Sequence, residues 1–206
     1  MSQQVLPAHQ QTRRIYIIGP SSTGKTTLCN ALAEHLGLPP SAHIREVARH
    51  VITSRGWTRK DIGLLEMQQA ILDAHAAREE EEMARNPPHK VLLCDRSTID
   101  PVVYAVFTAL KGEEKARKDA LVNSPAFQSV LAAYRDAEFY LLELVEEWLE
   151  DDGFRHVGDE KECLRLYKEV LAELSIEYRV IGKDMLDLKS RVAFVMGSTS
   201  SSVGGL

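Results

Sequence analysis

The residues Gly19-Pro20-Ser21-Ser22-Thr23-Gly24-Lys25-Thr26 fit the pattern GxxxxGK[ST] at every position. A loop of this composition suits polyphosphate chemistry, because its glycines let the backbone curl until successive amide hydrogens point at one anion. The motif assigns Gly19, Ser21, Ser22, Thr23, Gly24, Lys25, Thr26 and Thr27 to the nucleotide. Lys25 is expected to bridge the β- and γ-phosphate oxygens, and Thr26 to offer its hydroxyl to Mg²⁺. Thr27 is within reach of the α-phosphate. ATP is preferred over GTP, since no [NT]KxD follows a late strand and Gly182-Lys183-Asp184 lacks that spacing.

A second set of residues carries charge suited to phosphoryl transfer. Asp95 closes the apolar run Lys90-Val-Leu-Leu-Cys-Asp95 and is the candidate carboxylate beside the metal; the competing reading is an Asp that caps the following helix. Arg96 follows immediately and can reach a transferring phosphoryl group if the chain turns sharply there. Glu46 and Arg49, three apart at a helix start, can sit on the acceptor side, where a carboxylate would take a hydroxyl proton. An ordinary Glu and Arg ion pair within one helix is the alternative. Asp151-Asp152-Gly153-Phe154-Arg155 fits either a closing lid, with Arg155 neutralising γ-phosphate charge, or a plain acidic turn.

These residues need a scaffold that brings strand ends together. The run Arg14 to Ile18 reads as a strand, and Leu28, Leu32 and Leu36 recur at helical spacing until Gly37, Pro39 and Pro40 stop the helix. A short strand at Ala42 to Ile44 precedes a helix over Glu46 to Ser54. Thr58 and Asp61 resemble a capping box ahead of a long helix with Leu64, Met67, Ile71 and Ala74 on one face. The Glu79 to Glu82 run reads as the solvated end of that helix. Lys90 to Asp95 suits a central parallel strand buried on both faces. Helices over Ile99 to Leu110 and Pro125 to Ala133, a strand over Glu138 to Leu142, a helix over Asp159 to Leu174, a strand over Tyr178 to Ile181 and a helix over Met185 to Val195 complete the pattern. Strands that alternate with helices predict a parallel sheet in a three-layer α/β/α fold.

Composition narrows the classes further. The formal net charge of −5 argues against a broad nucleic-acid footprint. The basic residues of Lys111 to Asp119 alternate with acids and read as a solvated helix or loop. Trp57, Tyr104, Phe107, Tyr134 and Trp148 receive no role, because aromatics at such spacings are ordinarily core. Cys29, Cys94 and Cys163 lack metal-ligand spacing and read as buried thiols in a reducing compartment. With no apolar run of membrane-spanning length, a cytoplasmic location is expected. One domain over 14–196 is expected between flexible tails at 1–13 and 197–206, and a homodimer stays open.

Together these segments resemble the P-loop kinases of the NadR-like, ribosylnicotinamide-kinase type, ATPase-like domains near the deoxynucleoside and adenylate kinases. The resemblance rests on GPSSTGKTT at Gly19 to Thr27, REVAR at Arg45 to Arg49, DRSTIDPVVY at Asp95 to Tyr104 and DDGFR at Asp151 to Arg155. It includes the strand Tyr178 to Gly182 and the helix that carries Arg191. It implies a five-stranded sheet in the order 2-3-1-4-5, Asp95 and Arg96 in an Asp-Arg-Ser motif, Glu46 at the acceptor, and Arg155 on a lid at about 151–158. The expected activity is transfer of the γ-phosphoryl of ATP to a hydroxyl of a small nucleoside-like acceptor. A nucleotide-dependent regulatory ATPase module and a polynucleotide end kinase are the alternatives.

Overall fold

The structure is a computed structural model and describes residues 12–45, 47–85, 88–145 and 159–197. Five parallel strands form one sheet in the order β2-β3-β1-β4-β5. They are β1 (Arg13–Ile18), β2 (His43–Ile44), β3 (Val91–Asp95), β4 (Glu138–Leu142) and β5 (Tyr178–Ile181). The helices are α1 (Lys25–Leu36), α2 (Val47–Ser54), α3 (Leu65–Met83), α4 (Ile99–Phe107), α5 (Glu114–Val122), α6 (Pro125–Arg135), α7 (Asp159–Glu173) and α8 (Leu188–Met196). The strand order is the one the resemblance implies, and the fold is a three-layer P-loop fold.

Alternation along the strands decides which helices cover which face. Tyr16, Ile18, Leu92, Cys94, Phe139 and Leu141 pack with residues of α3, α4, α6 and α7, whereas Ile15, Ile17, Leu93, Tyr140 and Leu142 meet Leu28, Cys29 and Leu32 of α1 and Val195 of α8. Both faces are therefore apolar, which explains why β3 reads as an unbroken apolar run. Each such side chain taken out of water contributes roughly 1.5–3 kcal/mol. Gly37 ends α1 in the left-handed conformation at φ 60°, where it costs less strain than a residue with a Cβ.

Five sequence readings change. The Thr58 and Asp61 pair caps only a single 3₁₀ turn, Arg59–Asp61, with Thr58 N donating to Asp61 Oδ2 at 2.7 Å. The long helix starts later, and Leu64 stands 46% exposed before it rather than on its buried face. The Glu79 to Glu82 run is not uniformly solvated: helical spacing turns Glu79 and Glu82 inward while Glu80 and Glu81 stay exposed. Glu79 survives burial by accepting from Tyr16 Oη at 2.5 Å and Tyr134 Oη at 2.6 Å, with His75 Nδ1 at 2.9 Å. Glu82 is matched by Arg78, Arg85 and His89. The helix after β3 closes at Phe107, where the Thr108 hydroxyl donates back to Tyr104 O at 2.7 Å. The last helix starts at Leu188, after Asp187 accepts from Ser190 N at 2.8 Å as its cap.

Arg13 belongs to β1, and its guanidinium ties the start of that strand to β4 through Glu138, at 2.5 Å, and to the end of α8 through Val195 O at 3.2 Å. Burial acts to raise the Glu138 pKa, but hydrogen bonds from Arg13 and Tyr140 outweigh it and hold the carboxyl below its ordinary 4.5. A carboxyl depressed in the folded state contributes stability that is present above the unfolded pKa and is lost as pH falls through the folded one. The melting temperature is therefore expected to fall below pH 4.5, with a shallower fall in Glu138→Gln. Identical slopes in the two proteins would contradict the assignment.

Candidate functional site

The carboxyl ends of the parallel strands meet at the loop between β1 and α1. Register brings Ile17 of β1 opposite Asp95 of β3, and Arg96 N donates to Ile17 O at 3.0 Å. Gly19 turns the chain away at φ 138°, where an added Cβ would lie 2.8 Å from Leu142 O of β4. No side chain fits there. Gly19→Ala is expected to lower stability by on the order of 3 kcal/mol, combining strain at positive φ with a backbone clash. Urea unfolding would check this, with an unchanged midpoint contradicting it.

The rest of the loop curls through Ser22 at φ 60° and Gly24 at φ 84° into the first turn of α1. That turn carries no acidic residue of its own, so the positive end of the helix dipole is open to an anion. Lys25 is buried and sends its ammonium back across the loop to Pro20 O and to Thr23 Oγ1, the latter at 3.2 Å. Thr23 Oγ1 also donates to Pro20 O at 3.0 Å. Thr26 Oγ1 donates to Asp95 Oδ2 at 2.6 Å, so two hard oxygens from separate elements meet beside the loop. Among the described residues no group of three or more His, Cys, Asp or Glu is placed to hold a metal. A hydroxyl and one carboxylate suit Mg²⁺, which keeps much of its shell in water and phosphate oxygens.

Arg96 adopts φ 80°, an uncommon conformation for a residue with a Cβ, and this supplies the sharp turn that its sequence position required. Its Nη1 lies 2.9 Å from Asp100 Oδ1. Arg49 lies exposed on α2. Glu46 and Arg155, with the whole 151–158 segment and Trp148, lie outside the described residues.

Three side chains at the loop have no role in the sequence reading. Tyr104 of α4 places its hydroxyl 3.1 Å from Ser21 Oγ. Asp100 anchors Arg96, and its spacing from Ser97 is a readable capping signal. Arg191 of α8 is 2% exposed and donates from Nη1 to Thr23 O at 3.1 Å and from Nε to Met185 O at 2.6 Å. Burial lowers its pKa from the ordinary value. The resemblance marks the helix that carries Arg191 but gives the residue no role, and the contact across 168 residues has no local signal.

A hollow of about 260 Å³ adjoins the loop, lined by Gly24, Thr27, Leu186, Leu188 and Arg191. A larger one of about 560 Å³ lies between α4, α5 and α7 and contains no loop residue. Its rim is made of ion-paired residues such as Arg165 and Glu162. The smaller hollow is the one that adjoins the loop between β1 and α1. Nucleophilic thiol chemistry has no support at this site: Cys29, Cys94 and Cys163 are buried, and burial raises all three pKa values, Cys163 to about 12.

The sheet order and the loop at its centre define a P-loop protein of the kinase-like, nucleotide-binding class. The chain belongs to the AAA domain family, whose model matches residues 14–187. No curated protein matches it. Among solved structures it is similar to a NadR protein in complex with NR, at TM-score 0.71 and 20% identity, over 96% of this chain and 55% of that one. A NadR protein in complex with NAD and AMP-PNP gives 0.70 and 17%, over 95% and 51%. The chain thus spans about half the length of these two proteins. Deoxyadenosine kinase from M. mycoides with bound dCTP gives 0.63 and 13%, over 91% and 99%. At these identities the likeness is one of fold. No helix among the described residues is long and apolar enough to cross a membrane.

Proposed function

We propose that this chain is an ATP-dependent kinase that transfers the γ-phosphoryl group to a hydroxyl of a small nucleoside-like acceptor. The observation that carries the reading is the meeting of Lys25, the Thr26 and Asp95 pair and Arg96 at the end of β1 and β3. Structures of similar fold bear the names of a deoxyadenosine kinase and of a NadR protein holding NR, which supports a nucleoside-like acceptor.

In this reading Gly19, Ser21, Ser22, Thr23, Gly24 and Lys25 wrap the phosphates, and the base rests in the hollow between Thr27, Leu186, Leu188 and Arg191. Thr26 and Asp95 would hold Mg²⁺, which when bound neutralises charge on the phosphates. Glu46 takes the proton of the acceptor hydroxyl as its oxygen attacks the γ-phosphorus. The bond from that phosphorus to the bridging oxygen breaks and ADP departs. Arg96 meets the charge of the transferring group, Arg49 binds the acceptor, and Arg155 closes over the γ-phosphate from the 151–158 segment. Domain limits of 14–196 and a cytoplasmic location complete the proposal.

The test is ATP turnover with and without a panel of nucleosides that includes ribosylnicotinamide, with mass detection of phosphorylated product. Acceptor-dependent ADP release is expected. Release at the same rate with every acceptor, and no phosphorylated product, would overturn the kinase reading in favour of a regulatory ATPase. Glu46→Gln is expected to lower acceptor phosphorylation on the order of 10²-fold while nucleotide still binds. Full-rate transfer in that variant removes Glu46 from the proton path.

A further inference from the structure

Asp100 is 3% exposed, yet it accepts from groups on two separate parts of the chain. Oδ2 receives Ser97 N at 2.9 Å and Ser97 Oγ at 3.2 Å. Oδ1 receives Arg96 Nη1 at 2.9 Å and Tyr167 Oη of α7 at 2.6 Å. A carboxylate that merely closes the first turn of α4 needs only the first oxygen. The second oxygen is turned to the guanidinium, and a hydroxyl from another helix fixes its direction. One helical turn further on, Tyr104 brings its ring to 6.0 Å from the Arg96 guanidinium carbon while its hydroxyl lies 3.1 Å from Ser21 Oγ of the phosphate loop. Arg96 is thus held from α4 on two sides, on a backbone already committed to φ 80°.

We propose that Asp100 is the positioning residue for Arg96, setting the orientation in which that guanidinium meets the phosphoryl group. The inference rests on the role given to Arg96 above. A flexible arginine would have to be ordered at the moment of reaction, and one anchored beforehand does not. Tyr167 acts through the same oxygen, so α7 takes part in setting the arginine.

The experiment is a double-mutant cycle on the full chain, read as kcat and KM for ATP and for the acceptor. Asp100→Asn keeps an oxygen for Ser97 but removes the charge opposite Arg96. It is expected to lower kcat on the order of 10-fold to 100-fold with the KM for ATP nearly unchanged. In an Arg96→Gln background the same change is expected to cost less than about 2-fold. Tyr167→Phe, which deletes one hydroxyl, is expected to give a smaller loss that also vanishes in that background, and it carries the test if Asp100→Asn does not fold. Equal losses in both backgrounds would mean a purely structural Asp100 and would overturn the proposal. If Arg96→Gln alone leaves kcat intact, the role of Arg96 fails first, and that of Asp100 with it.

Discussion

Replacing Lys25 with alanine is expected to lower turnover by about 10³-fold or more, roughly 4 kcal/mol of transition-state stabilisation. The size follows from where the charge sits. The ammonium is buried, reaches back over the loop to Pro20 O, and stands at the positive end of α1, so it acts where solvent screens it least. Its structural contribution is smaller. Pro20 O keeps the Thr23 hydroxyl as a donor after the change, so the hydrogen bonds of the ammonium to Pro20 O and Thr23 Oγ1 are lost without leaving that carbonyl bare, at about 1 kcal/mol each. The variant is therefore expected to melt close to the parent while its ATP turnover collapses. Steady-state rates beside a thermal melt separate the two effects, and near-normal turnover in a folded variant would remove the loop from the chemistry.

That separation also shows what a sequence can disclose. The phosphate loop was legible because its function is local: a strand, a loop of eight residues with four of fixed type and a helix start lie consecutively, and the backbone does the work. The sheet was legible for a related reason. Buried strands such as Val91–Asp95 announce themselves as apolar runs, and parallel neighbours leave few orders to choose from. The side chains that brace the loop were hidden because their partners are remote. Tyr104 reaches Ser21 across 83 residues and Arg191 reaches Thr23 across 168, and nothing in the intervening composition marks either contact.

Glu79 illustrates the opposite error. Read locally, a run of four acids belongs in water. In the fold its carboxylate sits beneath the sheet, where Tyr16 and Tyr134 donate to it. Tyr134 in turn accepts from Thr98 N and Thr98 Oγ1, both at 3.1 Å, and so ties the turn after Asp95 to the core. Burial is the leading cause that pushes both tyrosine pKa values well up, with the Glu79 charge next, so the phenols remain donors. Besides the local His75, the donors that make burial of Glu79 possible lie on β1 and α6, outside any local window.

Asp95→Asn is the second variant with a large expected effect, and it isolates charge from shape. Asparagine is nearly isosteric and can still accept the Thr26 hydroxyl, which lies 2.6 Å from Oδ2 in the parent. The loop and α1 should therefore keep their places. What disappears is the negative charge at the site proposed for Mg²⁺, and changes of this kind typically cost 10-fold to 100-fold in metal affinity or activity. The expected result is a rise of about that size in the magnesium concentration that gives half-maximal turnover. Calorimetric binding of the metal with an ATP analogue supplies a readout independent of activity. If Asp95 merely caps the following turn, magnesium affinity will not move and only the melting temperature will. A parent-like magnesium titration in a folded Asp95→Asn protein would therefore assign the carboxylate to structure alone and leave Thr26 to account for the metal by itself.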